Sequence, residues 1–133
     1  MIDLDTDDIS TFSMVEYRLD PKTNTSSVTV IDNTINIEFS VVSESKKGSF
    51  TRYGYTAIQD SSTPGEGSFS GFCIWDMLEK TYKAIYYQEG EQGGEPLVLE
   101  DDQGKAFVGI HIFDEVKGDS FFPMERLASK YAA

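Results

Sequence analysis

Short runs of alternating apolar and polar residues, separated by turn-forming residues, dominate the chain. The clearest run is TINIEFSVV at 34–42, where Ile35, Ile37 and Phe39 alternate with polar side chains. A period of two is typical of a β-strand with one buried and one wet face. Seven further runs predict strands at 12–19, 27–31, 49–58, 69–75, 81–88, 96–100 and 105–113. The pattern therefore predicts about eight strands.

The connections between these runs indicate how the strands are joined. Asp32-Asn33 separates the second and third runs, and both residue types suit a tight hairpin turn. Short connections favour pairing between sequential neighbours. The run 105–113 is apolar on both faces, which predicts an interior strand. We therefore expect a mainly β, antiparallel meander, either barrel-like or a sandwich.

The C-terminal residues change to a helical period. Pro123 suits the first turn of a helix. Apolar residues then recur at i, i+3, i+4 and i+7, namely Met124, Leu127, Ala128 and Tyr131. These residues predict one short helix at 123–132 that docks on the sheet. A chain of 133 residues fits one domain, which we place at 11–133 after a mobile acidic tail at 1–10. No internal repeat is evident in the sequence.

The charge balance narrows the function classes. Eleven Lys and Arg residues stand against 23 Asp and Glu, which gives a formal net charge of −12. This excess excludes phosphate contacts over the whole surface and disfavours anionic membranes, so neither nucleic acid nor membrane is expected as a direct partner. A single cysteine, no signal peptide and no long apolar run favour the cytoplasm of a cell or of a virus-infected host.

Most of the net charge falls at one end of the predicted meander, because alternate turns of a meander lie together. That end also includes the acidic N-terminal tail and Asp32, and the residues predicted to bind a partner there are Asp60, Glu66, Glu89, Glu91, Glu95, Asp114, Glu115 and Asp119. The first hypothesis is therefore a non-enzymatic interaction module. It would act as an inhibitor that blocks a basic, nucleic-acid-binding type of surface on a partner protein. The alternative is that these acids only confer solubility.

A surplus of aromatic residues supports a second hypothesis. Tyr53, Tyr55, Trp75 and Tyr86 accompany the single histidine, His111. Together they would line the pocket of a small-ligand-binding β-barrel centred on His111. The alternative is ordinary cross-strand packing of aromatic side chains.

No catalytic or metal-binding constellation stands out in the sequence. The segment DLDTD at 3–7 resembles the start of a calcium loop, but its sixth position is Asp8 instead of glycine and its twelfth is Met14. Cys73 lies in an apolar run, which raises a thiol pKa. We therefore predict no cofactor, no metal and no enzymatic activity. An enzyme that uses His111 with carboxylates is a third hypothesis.

Overall fold

The computed structural model describes residues 13–59, 69–114 and 118–121, and antiparallel β-structure dominates them. The strands are β1 (Met14–Asp20), β2 (Thr25–Asp32), β3 (Ile37–Val41), β4 (Tyr53–Gln59), β5 (Phe69–Asp76), β6 (Thr81–Tyr86), β7 (Glu91–Gly93), β8 (Leu97–Glu100), β9 (Ala106–Gly109), β10 (Ile112–Asp114) and β11 (Asp119–Phe121). A 3₁₀ turn, Glu44–Lys46, lies between β3 and β4. The predicted mainly β, antiparallel class is confirmed. The predicted tail at 1–10 and helix at 123–132 lie outside the described residues.

The largest sheet combines a meander with added C-terminal strands. β3, β4 and β5 each pair with the next strand in the chain, so that β3 to β6 form the meander. β7 pairs with β5 at Phe69, just past the last residue that β5 pairs with β6. β10 and β11 extend the sheet beyond β7. β1–β2 and β8–β9 are separate two-stranded hairpins.

Strand β5 lies at the centre of this sheet and is covered on both faces. Its sequence FSGFCIWD is nearly continuous in apolar residues, and none of its eight residues is exposed. On one face, Cys73 and Trp75 pack with Ile35, Ile37 and Ile58. A strand with two covered faces needs apolar residues at nearly every position, because alternate side chains point to opposite sides.

The opposite face of the sheet carries a second apolar cluster. Phe72 and Ile85 pack there with Ile110 and Ile112, which lie at the start of the β10 region. All four side chains are buried, with at most 7% of their surface exposed. The second cluster therefore fixes the C-terminal strands against the meander.

A glycine permits the closest approach inside the sheet. Gly71 on β5 lies opposite Tyr86 on β6. A Cβ atom at this position would overlap the backbone carbonyl oxygen of Ile85. Because a backbone atom cannot move aside as a side-chain tip can, only glycine fits here without displacing β6.

Aspartate side chains close four of the turns. Oδ1 of Asp20, Asp32 and Asp76 each accepts backbone N–H groups from two and three residues further on, at 2.9 to 3.3 Å. Asp101 accepts N–H groups from two and four residues further on, both at 2.9 Å. In these turns the carboxylate takes the place of a backbone carbonyl as the acceptor for the turn's N–H groups. The N–H of Lys22 is the chief cause that lowers the pKa of Asp20.

Charged side chains join strands of the central sheet and connect the β8–β9 hairpin to it. Arg52 donates two hydrogen bonds to Asp76, at 3.0 and 2.8 Å to Oδ2, and the Arg52 guanidinium lowers the pKa of Asp76. Oε1 of Glu100, at the end of β8, accepts hydrogen bonds from Ser43 and from Ser45, the latter at 2.6 Å. These bonds join the β8–β9 hairpin to the connection between β3 and β4.

The run 105–113 is divided into β9 and β10, so the prediction of one interior strand is wrong. Ile110 and Ile112 are buried, but Phe107 and Phe113 are 37% and 41% exposed. The division arises because β9 pairs with β8 whereas β10 pairs with β7. The chain changes sheets between these two strands.

The predicted hairpin at Asp32-Asn33 is also wrong. β2 pairs with β1 and β3 pairs with β4, so the two strands flanking this turn belong to different sheets. The Asp32 carboxylate accepts N–H groups of Thr34 and Ile35 and turns the chain between the sheets. The short strands β7 and β11 were not predicted, because three residues do not establish a period.

We expect Gly71→Ala to lower the free energy of unfolding by about 1–3 kcal/mol, the range for overpacking. The added methyl group would displace the β6 backbone at Ile85. Gly54→Ala is the matched control, because Gly54 is also buried in a strand paired with β5, and its new Cβ would approach Val42 no closer than 3.8 Å. Urea unfolding of both variants tests this, and equal losses would contradict it.

Candidate functional site

The junction of β5, β7 and β10 brings together two residues of the predicted acidic end, Glu91 and Asp114. Gly93 on β7 lies opposite Phe69 of β5 on one side and opposite Ile112 of β10 on the other. One residue later, the Gly94 N–H donates to the backbone oxygen of His111 at 2.9 Å. We refer to Tyr87, Glu91, Gly93, Ile112 and Asp114 as the junction site.

Tyr87 forms the aromatic part of the junction site. Its backbone N–H donates to the oxygen of Ser70 at 2.9 Å, which continues the β5–β6 pairing by one residue. Its ring lies directly over Gly93, where an added Cβ would overlap the ring. Gly93 therefore allows the ring to approach the β7 backbone closely, next to the second apolar cluster.

Two buried carboxylates face each other across β7 and β10. Glu91 and Asp114 form a directly opposite pair and are only 8% and 6% exposed. Side chains in such a pair have Cβ atoms about 4.5–5.5 Å apart. Glu91 Oε2 accepts the backbone N–H of Gln88 at 2.8 Å. Buried carboxylates require such bonds, because desolvation of a charge is costly.

The buried carboxylates share their face of the sheet with the second apolar cluster. Alternation along β10 puts Asp114 on the same side as Ile112, whose side chain belongs to that cluster. His111 and Phe113 alternate to the other side. The junction site therefore offers two hydrogen-bond-accepting carboxylates beside apolar and aromatic surface, an arrangement that can orient a donor group next to an apolar ligand.

The structure divides the predicted acidic end. Glu89 and Glu95 are exposed, whereas Glu91 and Asp114 are buried. Asp60, Glu66 and Glu115 lie outside the described residues, and of Asp119 only the backbone is described, in β11. The turn count assumed a strict meander, and β7 and β11 change the end to which the later turns belong.

The predicted aromatic pocket is divided between two faces. Tyr53 and Tyr55 lie opposite Asp76 and Ile74, on the face of the second apolar cluster. Trp75 lies in the first cluster, and Tyr86 opposite Gly71 shares its face. His111 is exposed next to β10. The structure does not bring these five side chains together.

Trp75 and Cys73 are packed in the core and have structural roles. The Trp75 Nε1–H donates to Thr56 Oγ1 at 2.8 Å, and the Trp75 ring lies 4.7 Å from the Tyr82 ring, measured between centroids. Cys73 is fully buried beside them, and burial raises the pKa of its thiol to about 12. The thiol is thus neutral near pH 7 and is not a nucleophile.

Solved structures of oxygenases share this fold. A point mutant of Synechocystis apocarotenoid oxygenase (ACO) superposes with a TM-score of 0.71 and 19% sequence identity, covering 84% of this chain. A cobalt-substituted form of that enzyme gives the same values, and an ACO/RPE65 chimera gives the same TM-score with 18% identity. This chain spans 24% of the length of each. Its sheets thus have the fold of about a quarter of an apocarotenoid oxygenase.

The sequence match identifies the family. Residues 3–122 match the profile of the RPE65 family, described as retinal pigment epithelial membrane protein, and the chain belongs to this family. The match includes the whole β1–β10 region and therefore the junction site. Among the described residues, no helix has the length and apolar character required to cross a membrane.

These comparisons overturn the predicted function. The hypothesis of a small non-enzymatic module that inhibits a basic partner or mimics nucleic acid is wrong, because the chain belongs to the RPE65 family and has the fold of part of an apocarotenoid oxygenase. The prediction that the chain is not an enzyme is wrong for the same reason. The error lay in treating the acids as free surface charge, since Glu91 and Asp114 are buried and Asp20 and Asp76 bind backbone N–H groups.

The described residues do not fit a resident metal ion of the kind that cobalt replaces in the Synechocystis enzyme. No three His, Cys, Asp or Glu side chains gather in the described part of the chain. The one histidine in the sequence, His111, lies on the opposite face of β10 from Asp114. We therefore derive no chemical step through a metal from these residues.

Glu91 and Asp114 were predicted as surface acids of the acidic end, whereas Tyr87 and Gly93 were missed because the sequence around them looks like a loop. Glu91-Gln92-Gly93-Gly94 has no apolar residue and reads as a turn. The two adjacent glycines were the available signal, because glycine in a strand often marks a close approach by another group. Here that group is the Tyr87 ring.

Cys73 is expected to resist thiol reagents in the folded protein at pH 8, because it is buried and its pKa is about 12. Reaction with a chromogenic disulfide should be fast only after unfolding. Because the pKa of the thiol is raised from its ordinary value of 9.0, the contribution of Cys73 to the stability of the fold is fully present below pH 9. This contribution should be lost as the pH rises towards 12. Rapid labelling of the folded chain at pH 8 would contradict this assignment.

Proposed function

We propose that this chain serves in an oxygenase that acts on an apolar polyene of the apocarotenoid class. The observation that carries the proposal is the RPE65-family match over residues 3–122. The shared fold over 84% of the chain supports it. The activity itself is the proposal, because the chain spans 24% of the length of these enzymes.

One face of the β8–β9 hairpin has the chemistry to bind a polyene. Leu97 and Leu99 lie on the same face of β8, and Phe107 lies opposite Leu99 on β9. Their side chains are 55%, 54% and 37% exposed. A polyene offers no hydrogen-bonding group along its length, so contact with apolar side chains is its main source of affinity. We call this surface the hairpin strip.

The junction site supplies the polar part of the proposal. Glu91 and Asp114 are held in a desolvated position by strand pairing and by the Gln88 N–H. In such surroundings a carboxylate interacts strongly with a nearby donor or positive charge. We assign both residues a positioning role in the oxygenase.

We also propose the cytoplasm as the place of action. The chain has one cysteine, and Cys73 is free and buried. Free thiols of this kind are usual in reducing compartments. Localisation of a fluorescent fusion of the chain would test this, and a secreted or organelle-bound fusion would contradict it.

Fluorescence of Trp75, the chain's single tryptophan, offers a direct binding assay. An apocarotenal absorbs where tryptophan emits, so binding should quench the Trp75 signal. We expect Leu99→Asn to weaken binding about tenfold, since burial of a leucine side chain contributes roughly 1.5–3 kcal/mol. Leu78→Asn is the matched control, because Leu78 is similarly exposed, at 59%, but lies in the β5–β6 turn. No quenching, or equal effects of both variants, would contradict the hairpin strip.

Turnover is tested with an apocarotenal under dioxygen and under argon. We expect a loss of long-wavelength absorbance only with dioxygen, and ¹⁸O from labelled dioxygen in the aldehyde product. Glu91→Gln should reduce the rate at least tenfold, whereas Glu89→Gln in the same turn, which is exposed, should leave it unchanged. Assays in lysate and after purification cover any requirement for host components. A folded protein with no dioxygen-dependent turnover in either would overturn the proposal.

A further inference from the structure

Two hairpins of the chain are copies of each other at a spacing of 56 residues. Tyr17 pairs with Val28 in β1–β2, and 56 residues later Cys73 pairs with Ala84 in β5–β6. Each turn begins with an aspartate that accepts the N–H groups two and three residues on. Each turn ends with a residue at φ 53°, Asn24 in the first and Lys80 in the second. Only Asp20/Asp76 and Thr25/Thr81 are identical through these hairpins, which explains why the sequence shows no repeat.

The two hairpins differ in how far their side chains are covered by the rest of the chain. Cys73 and Trp75 in β5 are 0% and 1% exposed, whereas the equivalent Tyr17 and Leu19 in β1 are 57% and 74% exposed. β5 has β4 along its second edge. Within the described residues, β1 pairs with β2 and has no strand along its other edge. Among the described residues, the second edge of β1 thus lacks the neighbouring strand that β4 provides for β5 in the other hairpin.

The sequence of β1 is complementary to itself in the antiparallel direction. If the β1 strands of two chains pair about a two-fold axis through Tyr17, each residue lies opposite the residue of the second chain that is equally far from Tyr17 on its other side. Glu16 then faces Arg18 of the second copy, and Arg18 faces Glu16. Val15 faces Leu19 in the same way. Both charged pairs lie on one face of the new sheet and both apolar pairs on the other.

We propose that a second copy of this chain covers β1, forming a two-fold symmetric dimer through antiparallel β1–β1 pairing. An exposed strand edge is a template for such pairing, and a two-fold axis uses the same patch on both copies. The exposed Tyr17, Leu19, Val28 and Val30 side chains continue as one apolar surface across the axis. Arg18, now 73% exposed and 3.4 Å from Glu16 of its own strand, gains a directly opposite carboxylate.

A cysteine at the axis tests the register. Tyr17→Cys should give a disulfide-linked dimer under mild oxidation, because opposite residues in a strand pair are within disulfide range. Val30→Cys is the matched control. Val30 is also 57% exposed, but it lies on β2 opposite Val15, which places the two copies of Val30 about 20 Å apart, three strand spacings across and four residues along. Cys73 does not compete, since it is buried. Equal cross-linking of both variants, or none, would overturn the proposed register.

Charge reversal tests the pairing independently of cysteine chemistry. Sedimentation of the full chain should show twice the mass of one copy. Arg18→Glu alone should weaken the dimer about tenfold, because like charges then face each other. Glu16→Lys should weaken it likewise, and it also removes the ion pair of 3.2 Å between Glu16 and Lys80 of the same chain, so thermal melting of this variant is compared with that of the combined variant. The combined variant exchanges the charges and should restore the dimer. Thermal melting identifies variants that unfold. A wild-type monomer at high concentration would refute the proposal, and so would a combined variant that stays monomeric while folded.

Discussion

The approach of β6 to β5 at Gly71 is the constraint on which the rest of the sheet depends. Because β5 is covered on both faces and paired along both edges, its position sets the register of β4, β6 and β7. A side chain at Gly71 would separate β6 from β5. Tyr87, which continues β6 by one residue, would then no longer lie over Gly93. The position of Tyr87 in the junction site therefore depends on the close approach of β6 to β5 at Gly71.

The fold class and most strands could be predicted from the sequence, because long strands reveal their period. TINIEFSVV contains β3, and the nearly continuous apolar run FSGFCIW matches a strand covered on both faces. The exchange of partners between β9 and β10 could not be predicted, because 105–113 reads as one continuous apolar run. Pairing depends on distant strands, and a local pattern contains no information about them.

The junction site and the family were beyond the reach of local patterns for a different reason. Burial of Glu91 follows from its pairing with Asp114, 23 residues later, and nothing near Glu91 in the sequence indicates it. The fold is shared with the oxygenase structures at only 18–19% sequence identity. The sequence-based prediction chose His111 and the acidic turns because of their chemistry. Their positions in the fold could not be read from the sequence.

The aspartates of the turns change how the acidity of the chain should be understood. Asp20, Asp32, Asp76 and Asp101 have side chains occupied by backbone N–H groups, so four of the 23 acidic residues act as parts of the chain's turns. Asparagine can accept the same bonds without a charge. The isoelectric point of this protein is thus partly a by-product of how its hairpins close. It can drift between relatives by exchange of Asp and Asn while the architecture stays the same.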